Sequence, residues 1–129
     1  MAHKSAYKAV YAAIIARLKR DGVKVGTTSF YPRVEVYGLS ESSPMDKGDA
    51  VRTISATVES ISTTSIADAS AMADDNIALL TESELSLGDG WRCLGVAPEQ
   101  LTDMTEQSDT DKIIYRITQT ITVWAERTK

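Results

Sequence analysis

Hydrophobic positions along this chain switch between helical spacing and strict alternation, which divides the sequence into predicted elements. From Lys4 to Arg20, apolar residues recur three and four positions apart, which predicts an amphipathic helix. Gly22 is expected to end this helix, because glycine readily takes the left-handed conformation that follows helices. The residues predicted to form its buried face are Tyr7, Val10, Tyr11, Ile14, Ile15 and Leu18.

Two strands and a second helix are predicted next. TSFYPRVEVYG and AVRTISATVESI both alternate, and the polar stretch SESSPMDKGD between them indicates a turn. The spacing of Ser65 and Asp68 is typical of a capping box, so a helix is expected to begin there. Its predicted apolar face consists of Ile66, Ala69, Met72, Ala73, Ile77 and Leu80.

The remaining third of the chain contains two more predicted strands. GDGWRCLGV is expected to form a turn and a short strand, and KIIYRITQTITVWAERTK forms a long closing strand from about Lys112. The acidic stretch APEQLTDMTEQSDTD between them is expected to be an irregular loop with one helical turn at Pro98. The order α-β-β-α-β-β predicts a single α+β domain over residues 1–129. Its mostly antiparallel four-stranded sheet would carry both helices on one face.

The closing strand is unusually long for a domain of this size. Residues 113–125 would extend ~43 Å at ~3.3 Å per residue, beyond the ~36 Å diameter of a compact chain of this length. Two interpretations follow: the strand bends at a bulge near Gln119, or its end projects and pairs with another chain. One face of the strand is apolar, from Ile113 to Ala125, whereas the other carries Arg116 and a row of threonines.

Composition narrows the classes of function. The chain has 43% hydrophobic residues and a net charge of −4, which fits a globular domain and argues against tight binding to nucleic-acid phosphates. No apolar run reaches the ~18 residues that a membrane span needs, and MAHKSAYKAV has no secretory h-region. We therefore expect no membrane partner.

No recognisable catalytic or metal-binding motif is present. His3 is the only histidine and Cys93 the only cysteine, so neither the usual nucleophilic triads nor multi-histidine metal sites are expected. Cys93 lies beside Trp91 and Leu94, which favours a buried, unreactive thiol. The acidic residues from Asp103 to Asp111 lack EF-hand spacing. We expect no enzyme activity and no cofactor.

Five segments together resemble the tail terminator (tail completion) proteins of long-tailed bacteriophages. The segments cover nearly the whole chain: AYKAVYAAIIARLK, SFYPRVEVYG, AVRTISATVES, IADASAMADDNIALL and IIYRITQTITVWAE. The resemblance implies an α/β subunit of a hexameric ring at the head-proximal end of the tail tube. Such a ring ends polymerisation of the tube and presents a surface to the head-side connector.

The same resemblance implies partners and a location. The partners would be further copies of the chain, the tail tube protein and the head-side connector protein, with DNA passing through the ring without specific binding. The protein would be made in the bacterial cytoplasm and reside in the virion. Two alternatives remain open: a head–tail connector or tube protein of a related machine, and a small monomeric binding module or an enzyme that uses only Asp, Ser and Lys.

Four regions are expected to contribute subunit contacts: the hairpin turn, the polar face of the closing strand, the basic end of the first helix and the acidic loop. A ring requires contacts between two different patches of neighbouring subunits. Ion pairs between the basic helix end and an acidic loop would make assembly sensitive to salt. The candidate residues are Pro44, Met45, Asp46, Lys47, Arg116, Thr118, Thr120, Thr122, Trp124, Arg17, Lys19, Arg20, Asp103, Glu106, Asp109 and Asp111.

Overall fold

The computed structural model describes residues 5–26, 30–42, 50–107 and 112–128, and within these ranges it contains two helices and six strands. The α+β class is therefore confirmed. In chain order the elements are α1 Tyr7–Leu18, β1 Lys24–Val25, β2 Arg33–Ser42, β3 Val51–Ser62, α2 Ile66–Thr81, β4 Trp91–Asp103, β5 Glu106–Gln107 and β6 Ile113–Arg127.

The strands form one mixed sheet in the order β1-β2-β3-β6-β4, with β5 also paired to β6. β1 runs parallel to β2, and all the other pairs are antiparallel. The sheet is mostly antiparallel, as predicted, but the predicted four strands and the order α-β-β-α-β-β are wrong, because β1 and β5 each add a strand. Both have only two residues, which is too short for alternation to be visible in the sequence.

The long closing strand β6 is central in the sheet. Its pairing with β3 runs without a register shift from Ser62 opposite Tyr115 to Val51 opposite Glu126, and β4 pairs along its other side. The projecting-strand interpretation is therefore wrong, because β3 and β4, at 12 and 13 residues, are nearly as long as β6. A bulge does lie next to Gln119, opposite Thr120, but its extra residue belongs to β4, between Pro98 and Leu101.

Both helices cover the same face of the sheet, as the sequence predicted. Alternate side chains of a strand point to opposite faces, so only every second residue of β3 and β6 meets the helices. Members of the shared core include Val10, Ile14 and Leu18 of α1, Met72 and Leu80 of α2, and Val34, Ile54, Val58, Trp91, Ile121 and Val123 of the sheet.

Helix α1 buries Val10, Ile14 and Leu18 as predicted, but its buried face does not include Tyr7 and Tyr11. Tyr7 and Tyr11 are 45% and 39% exposed, whereas Ala9 and Ala13 are buried together with Val10, Ile14 and Leu18. Small alanine side chains allow the helix to lie close to the sheet. The helix also ends at Leu18 rather than just before Gly22, whose positive φ of 83° serves the turn between Arg20 and Val23.

Helix α2 begins as the sequence predicts. The Ser65 hydroxyl accepts the backbone N–H of Asp68 at 3.0 Å, and the Asp68 carboxylate accepts the Ser62 hydroxyl at 2.6 Å. One buried polar contact was not foreseen: the Asn76 side-chain amide donates to the Ser60 hydroxyl at 2.9 Å. This hydrogen bond joins the middle of α2 to β3.

The acidic stretch predicted as an irregular loop is mostly strand. β4 continues through Pro98, where a helical turn was expected, to Asp103, and β5 follows at Glu106–Gln107. Alternation is lost here because β4 has a single strand neighbour and several solvent-exposed side chains. Residues 108–111 of the predicted loop lie outside the described residues.

Candidate assembly surface on the helix-free face of the sheet

The face of the sheet opposite the two helices is polar, and we call it the helix-free face. Register aligns its side chains in rows across the strands, such as Tyr37, Thr57 and Thr120. Its residues on β2, β3 and β6 include Arg33, Glu35, Tyr37, Thr53, Ser55, Thr57, Glu59, Ile61, Arg116, Thr118, Thr120, Thr122 and Trp124. Every candidate that the sequence placed on the polar face of the closing strand is therefore on one surface.

The threonines of β6 connect this face to the bulged strand β4. The Thr118 hydroxyl donates to the carbonyl of Thr102 at 3.2 Å, and the Thr120 hydroxyl accepts the backbone N–H of Gln100 at 3.0 Å. The Thr122 hydroxyl donates to the Glu99 carboxylate. These three hydroxyls therefore hold the outer strand against β6, and Thr120 still remains exposed.

A cluster of charged residues occupies one end of the helix-free face. Glu35 and Glu59 lie directly opposite each other on β2 and β3, an arrangement that repels unless it is neutralised. Arg33 Nε contacts Glu35 Oε2 at 2.7 Å, and Arg116 Nη1 contacts Glu59 Oε1 at 3.0 Å. Arg116 Nε also reaches Glu106 Oε1 at 3.1 Å, so the cluster includes β5.

This cluster is well shielded for a surface that no described helix covers. Glu59 is only 7% exposed, and Arg33 stacks on the Tyr31 ring, with its guanidinium carbon 4.6 Å from the ring centroid. Burial and the charge of Glu59 raise the pKa of Tyr37. Each carboxylate has an arginine partner: Arg116 of β6 joins β3 and β5 through Glu59 and Glu106, whereas the Arg33–Glu35 pair lies within β2.

Exposed aromatic side chains flank the polar rows. Trp124 is 37% exposed at one end of the helix-free face, and Tyr37 is 45% exposed nearer the charged cluster. Trp and Tyr are enriched in protein–protein interfaces because one part of the ring is apolar and another can form hydrogen bonds. The helix-free face thus combines rows of β-branched residues with exposed aromatic side chains.

The predicted basic patch at the end of α1 is divided by the fold. The Arg17 guanidinium donates to the carbonyls of Leu79, Ser83 and Glu84 at 2.8, 3.2 and 3.0 Å, and so caps the carboxyl end of α2. Arg20 donates to its neighbour Leu18 at 2.9 Å, and burial lowers its pKa. Lys19 is exposed.

The acidic candidates have equally different environments. Asp103 accepts the backbone N–H of Thr105 at 2.9 Å, and this hydrogen bonding lowers the pKa of Asp103. Glu106 belongs to the charged cluster through Arg116. The other acidic candidates, Asp109 and Asp111, and the hairpin candidates Pro44, Met45, Asp46 and Lys47 lie outside the described residues.

Comparison with known proteins identifies a fold. A chain in a solved structure described as the virion of a native gene transfer agent (GTA) particle matches with a TM-score of 0.74. The match covers 95% of this chain and 98% of that chain, at 18% sequence identity. At this identity the likeness is one of fold. A scan against protein-family models and a search of the curated proteins each gave no match.

Other chemistry is sparse in the described ranges. Among these residues, no three His, Cys, Asp or Glu side chains lie close enough together to hold a metal ion, and no helix is long and apolar enough to cross a membrane. Cys93 is buried as predicted, with Sγ 3.6 Å from the carbonyl oxygen of Gly95. His3 lies outside the described residues.

Sequence reasoning missed the Glu59 half of the charged cluster. Alternation in β3 does place Glu59 on the face opposite Val58, so the face was readable from the sequence. Its partner Arg116 is 57 residues away, and only the pairing of β3 with β6 brings the two together.

Proposed function

We propose that this chain is a structural protein of a phage-like virion that forms a ring at the head-proximal end of the tail tube. The observation that carries the proposal is the match in fold to a chain of a gene transfer agent virion, over 95% of one chain and 98% of the other. Almost every residue of each chain therefore has a counterpart in the fold of the other. This agreement favours two building blocks of the same kind, each a single domain.

The order of elements supports the finer assignment to tail termination. The five segments that resemble tail terminator proteins correspond in order to α1, β2, β3, α2 and β6. These are the helices and three of the four long strands, so the resemblance extends over the body of the domain. In the proposed role, the ring ends polymerisation of the tube and joins it to the head-side connector.

The helix-free face supplies a surface for neighbouring virion proteins. Its exposed residues include Ser55, Thr120 and Trp124. The threonine hydroxyls of β6 hold β4 in position beside them. A flat, rigid surface loses little conformational entropy when a partner packs on it. We therefore assign the exposed Thr120 and Trp124 to contacts with adjacent chains, while half-buried Arg116 and Thr118 and buried Thr122 hold the strands beneath them in place.

The proposed role requires no chemistry from the chain itself. A net charge of −4 suits a ring through which DNA slides without being held, because tight phosphate binding needs clustered basic residues. In this proposal the protein is neither an enzyme nor a cofactor carrier, and it is located in the virion.

Electron microscopy of the protein mixed with its tail tube tests the proposal. The tube subunit from the same genome would be assembled alone and with this protein, which would carry a label. We expect label at one end of each tube and an arrest of tube growth. Label along the tube would favour a tube subunit, and label only on head-side connectors would favour a connector. A protein that associates with none of these particles would contradict the proposed function.

A matched pair of variants links this assay to the helix-free face. Thr120→Arg adds a long charged side chain to the exposed middle of β6, and we expect it to remove label from tube ends while the fold is retained. Ala71→Arg makes the same kind of change on the exposed side of α2 and should leave labelling unchanged. Equal labelling by both variants would show that this face is not used.

A further inference from the structure

An apolar groove runs along α1 at the margin of the core, where Ile15 and Val25 are partly buried. It has a volume of about 540 Å³ and lies between α1 and β1. Ala12 and Ala16 lie one helical turn apart, and their small side chains form the floor of the groove. Tyr11, beside them, is 39% exposed. Lys8 and Lys19 line the same groove. The lining residues used below, which define the α1–β1 groove, are Lys8, Tyr11, Ala12, Ile15, Ala16, Lys19 and Val25.

The opposite border of the sheet has complementary properties. β1 is the first and β4 the last strand in the sheet order, so the groove and β4 lie at opposite borders. Leu101 and Met104, in and just after β4, are 52% and 55% exposed. Residues 99–107, which we call the β4–β5 edge, include three acidic residues and no basic one.

The shape of β4 disfavours simple extension of the sheet by another chain. Its register with β6 shifts between Cys93 and Gly95 and again between Pro98 and Leu101. Bulges and proline on an edge strand prevent continuous backbone pairing with a second strand. Contacts at this border are therefore expected to rely on side chains, chiefly Leu101 and Met104.

We propose that the β4–β5 edge of one chain docks into the α1–β1 groove of a second copy. Leu101 and Met104 would contact the groove floor at Ala12 and Ala16. The acidic residues of the edge would lie near Lys8 and Lys19, whose charges are opposite. The closure of this contact into a ring rests on the proposed function, whereas the pairing of the two surfaces does not.

The two surfaces are different and lie at opposite borders, so the contact is heterologous. A pair of chains then retains one unused groove and one unused edge, so further copies can add, and they form a ring where the rotation between neighbours closes. An apolar centre with charged residues around it is the usual composition of a protein–protein interface. The arrangement also explains why exposed apolar side chains are present on both borders.

Mixing two blocked variants tests this pairing directly. Ala16→Glu fills the groove and repels an acidic edge, and Leu101→Asp removes the apolar edge contact. Native mass spectrometry of each variant alone should show the 14.0 kDa chain, in place of the larger native species. An equal mixture should give a dimer and nothing larger, because one intact groove and one intact edge remain. Ala67→Glu and Ile66→Asp, at exposed positions of α2, are the matched controls and should assemble normally.

A second pair of variants covers the case of misfolding. Ala12→Glu and Met104→Asp test the same surfaces at another exposed helix position and in a turn. Circular dichroism would establish that each variant is folded.

The outcomes separate the contact from the proposed function. Native chains that stay monomeric, or folded variants that assemble normally, would overturn the pairing; in the second case a ring would persist through another surface. A mixture of folded variants that stays monomeric would also overturn it. In a last outcome, the two blocked variants form a dimer when mixed although the native protein does not label the ends of tail tubes. That result would support the contact and contradict the proposed function.

Discussion

The two faces of strand β6 differ in how far their side chains are buried. On the helix-covered face Ile117, Ile121 and Val123 are almost fully buried in the core. On the helix-free face Thr120 and Trp124 remain exposed, although their neighbours in the chain are buried. Under the proposed function, alternate residues of this one strand serve stability and contacts with other chains. Substitutions on one face should unfold the domain, and substitutions on the other should leave it folded but unable to assemble.

Each face also carries one charged cluster, and the two lie at opposite ends of the sheet. On the helix-covered face, Arg52 Nε contacts Glu41 Oε2 at 3.2 Å, and Glu41 accepts the backbone N–H of Ala6 at 2.9 Å. That pair fixes the start of α1. On the helix-free face, Arg116 joins Glu59 and Glu106 and fixes strands to each other. The helix-free face is therefore expected to contribute stability mainly at its charged end.

The largest expected effect comes from the core side of β6. Ile121→Ala should lower the free energy of unfolding by about 2–5 kcal/mol, because it removes a fully buried side chain and leaves a cavity. Thr120→Val, one residue away on the other face, keeps the β-branched shape and should change it by less than ~1 kcal/mol. Urea denaturation measures both. Similar losses of unfolding free energy in Ile121→Ala and Thr120→Val would contradict the difference between the two faces.

A smaller effect is expected at the charged end of the helix-free face. Arg116→Met removes the arginine partner of the buried Glu59 carboxylate. It should lower the free energy of unfolding by about 1.5–3 kcal/mol. Glu59→Gln in the same background should recover part of the loss, since the unpaired charge is then gone. A double-mutant cycle by chemical denaturation measures the coupling. A coupling energy of zero would mean that Arg116 and Glu59 contribute to stability independently.

The smallest effect concerns pH. The pKa of Tyr37 is raised by burial and by Glu59, so the folded state disfavours tyrosinate. A raised folded pKa means that this stability is fully present below the unfolded pKa of about 10 and is lost as pH rises through the folded pKa. Tyr37→Phe should therefore lose less stability than the native chain between neutral and strongly alkaline pH. Ultraviolet titration of Glu59→Gln should show a lower Tyr37 pKa; an unchanged value would remove Glu59 as a cause.

The sequence predicted those parts of the fold whose pattern is long and regular. The alternation of β3 and β6 and the Ser65 cap of α2 were all recognisable, because each depends on neighbouring residues only. The polar face of β6 was also identified in advance, with Thr118, Thr120 and Thr122 on one side.

Other features depend on partners distant in the chain and could not be predicted this way. β4 was too short in the prediction because bulges interrupt its alternation where it pairs with β6. Tyr11 was assigned to the core because it has helical spacing, but the helix is rotated so that Ala9 and Ala13 meet the sheet. Arg17 was assigned to the surface, yet its partners are carbonyls 62–67 residues away.

Sedimentation velocity of the isolated native chain tests the central claim, assembly into a closed ring, most directly. We predict a single discrete species of about six chains that persists over a range of protein concentrations. It should weaken from 0.1 M to 1 M salt, as the Debye length falls from about 10 Å to about 3 Å, because the proposed contact places acidic residues opposite basic ones. A monomer at every concentration, or a continuous series of growing polymers, would contradict the ring.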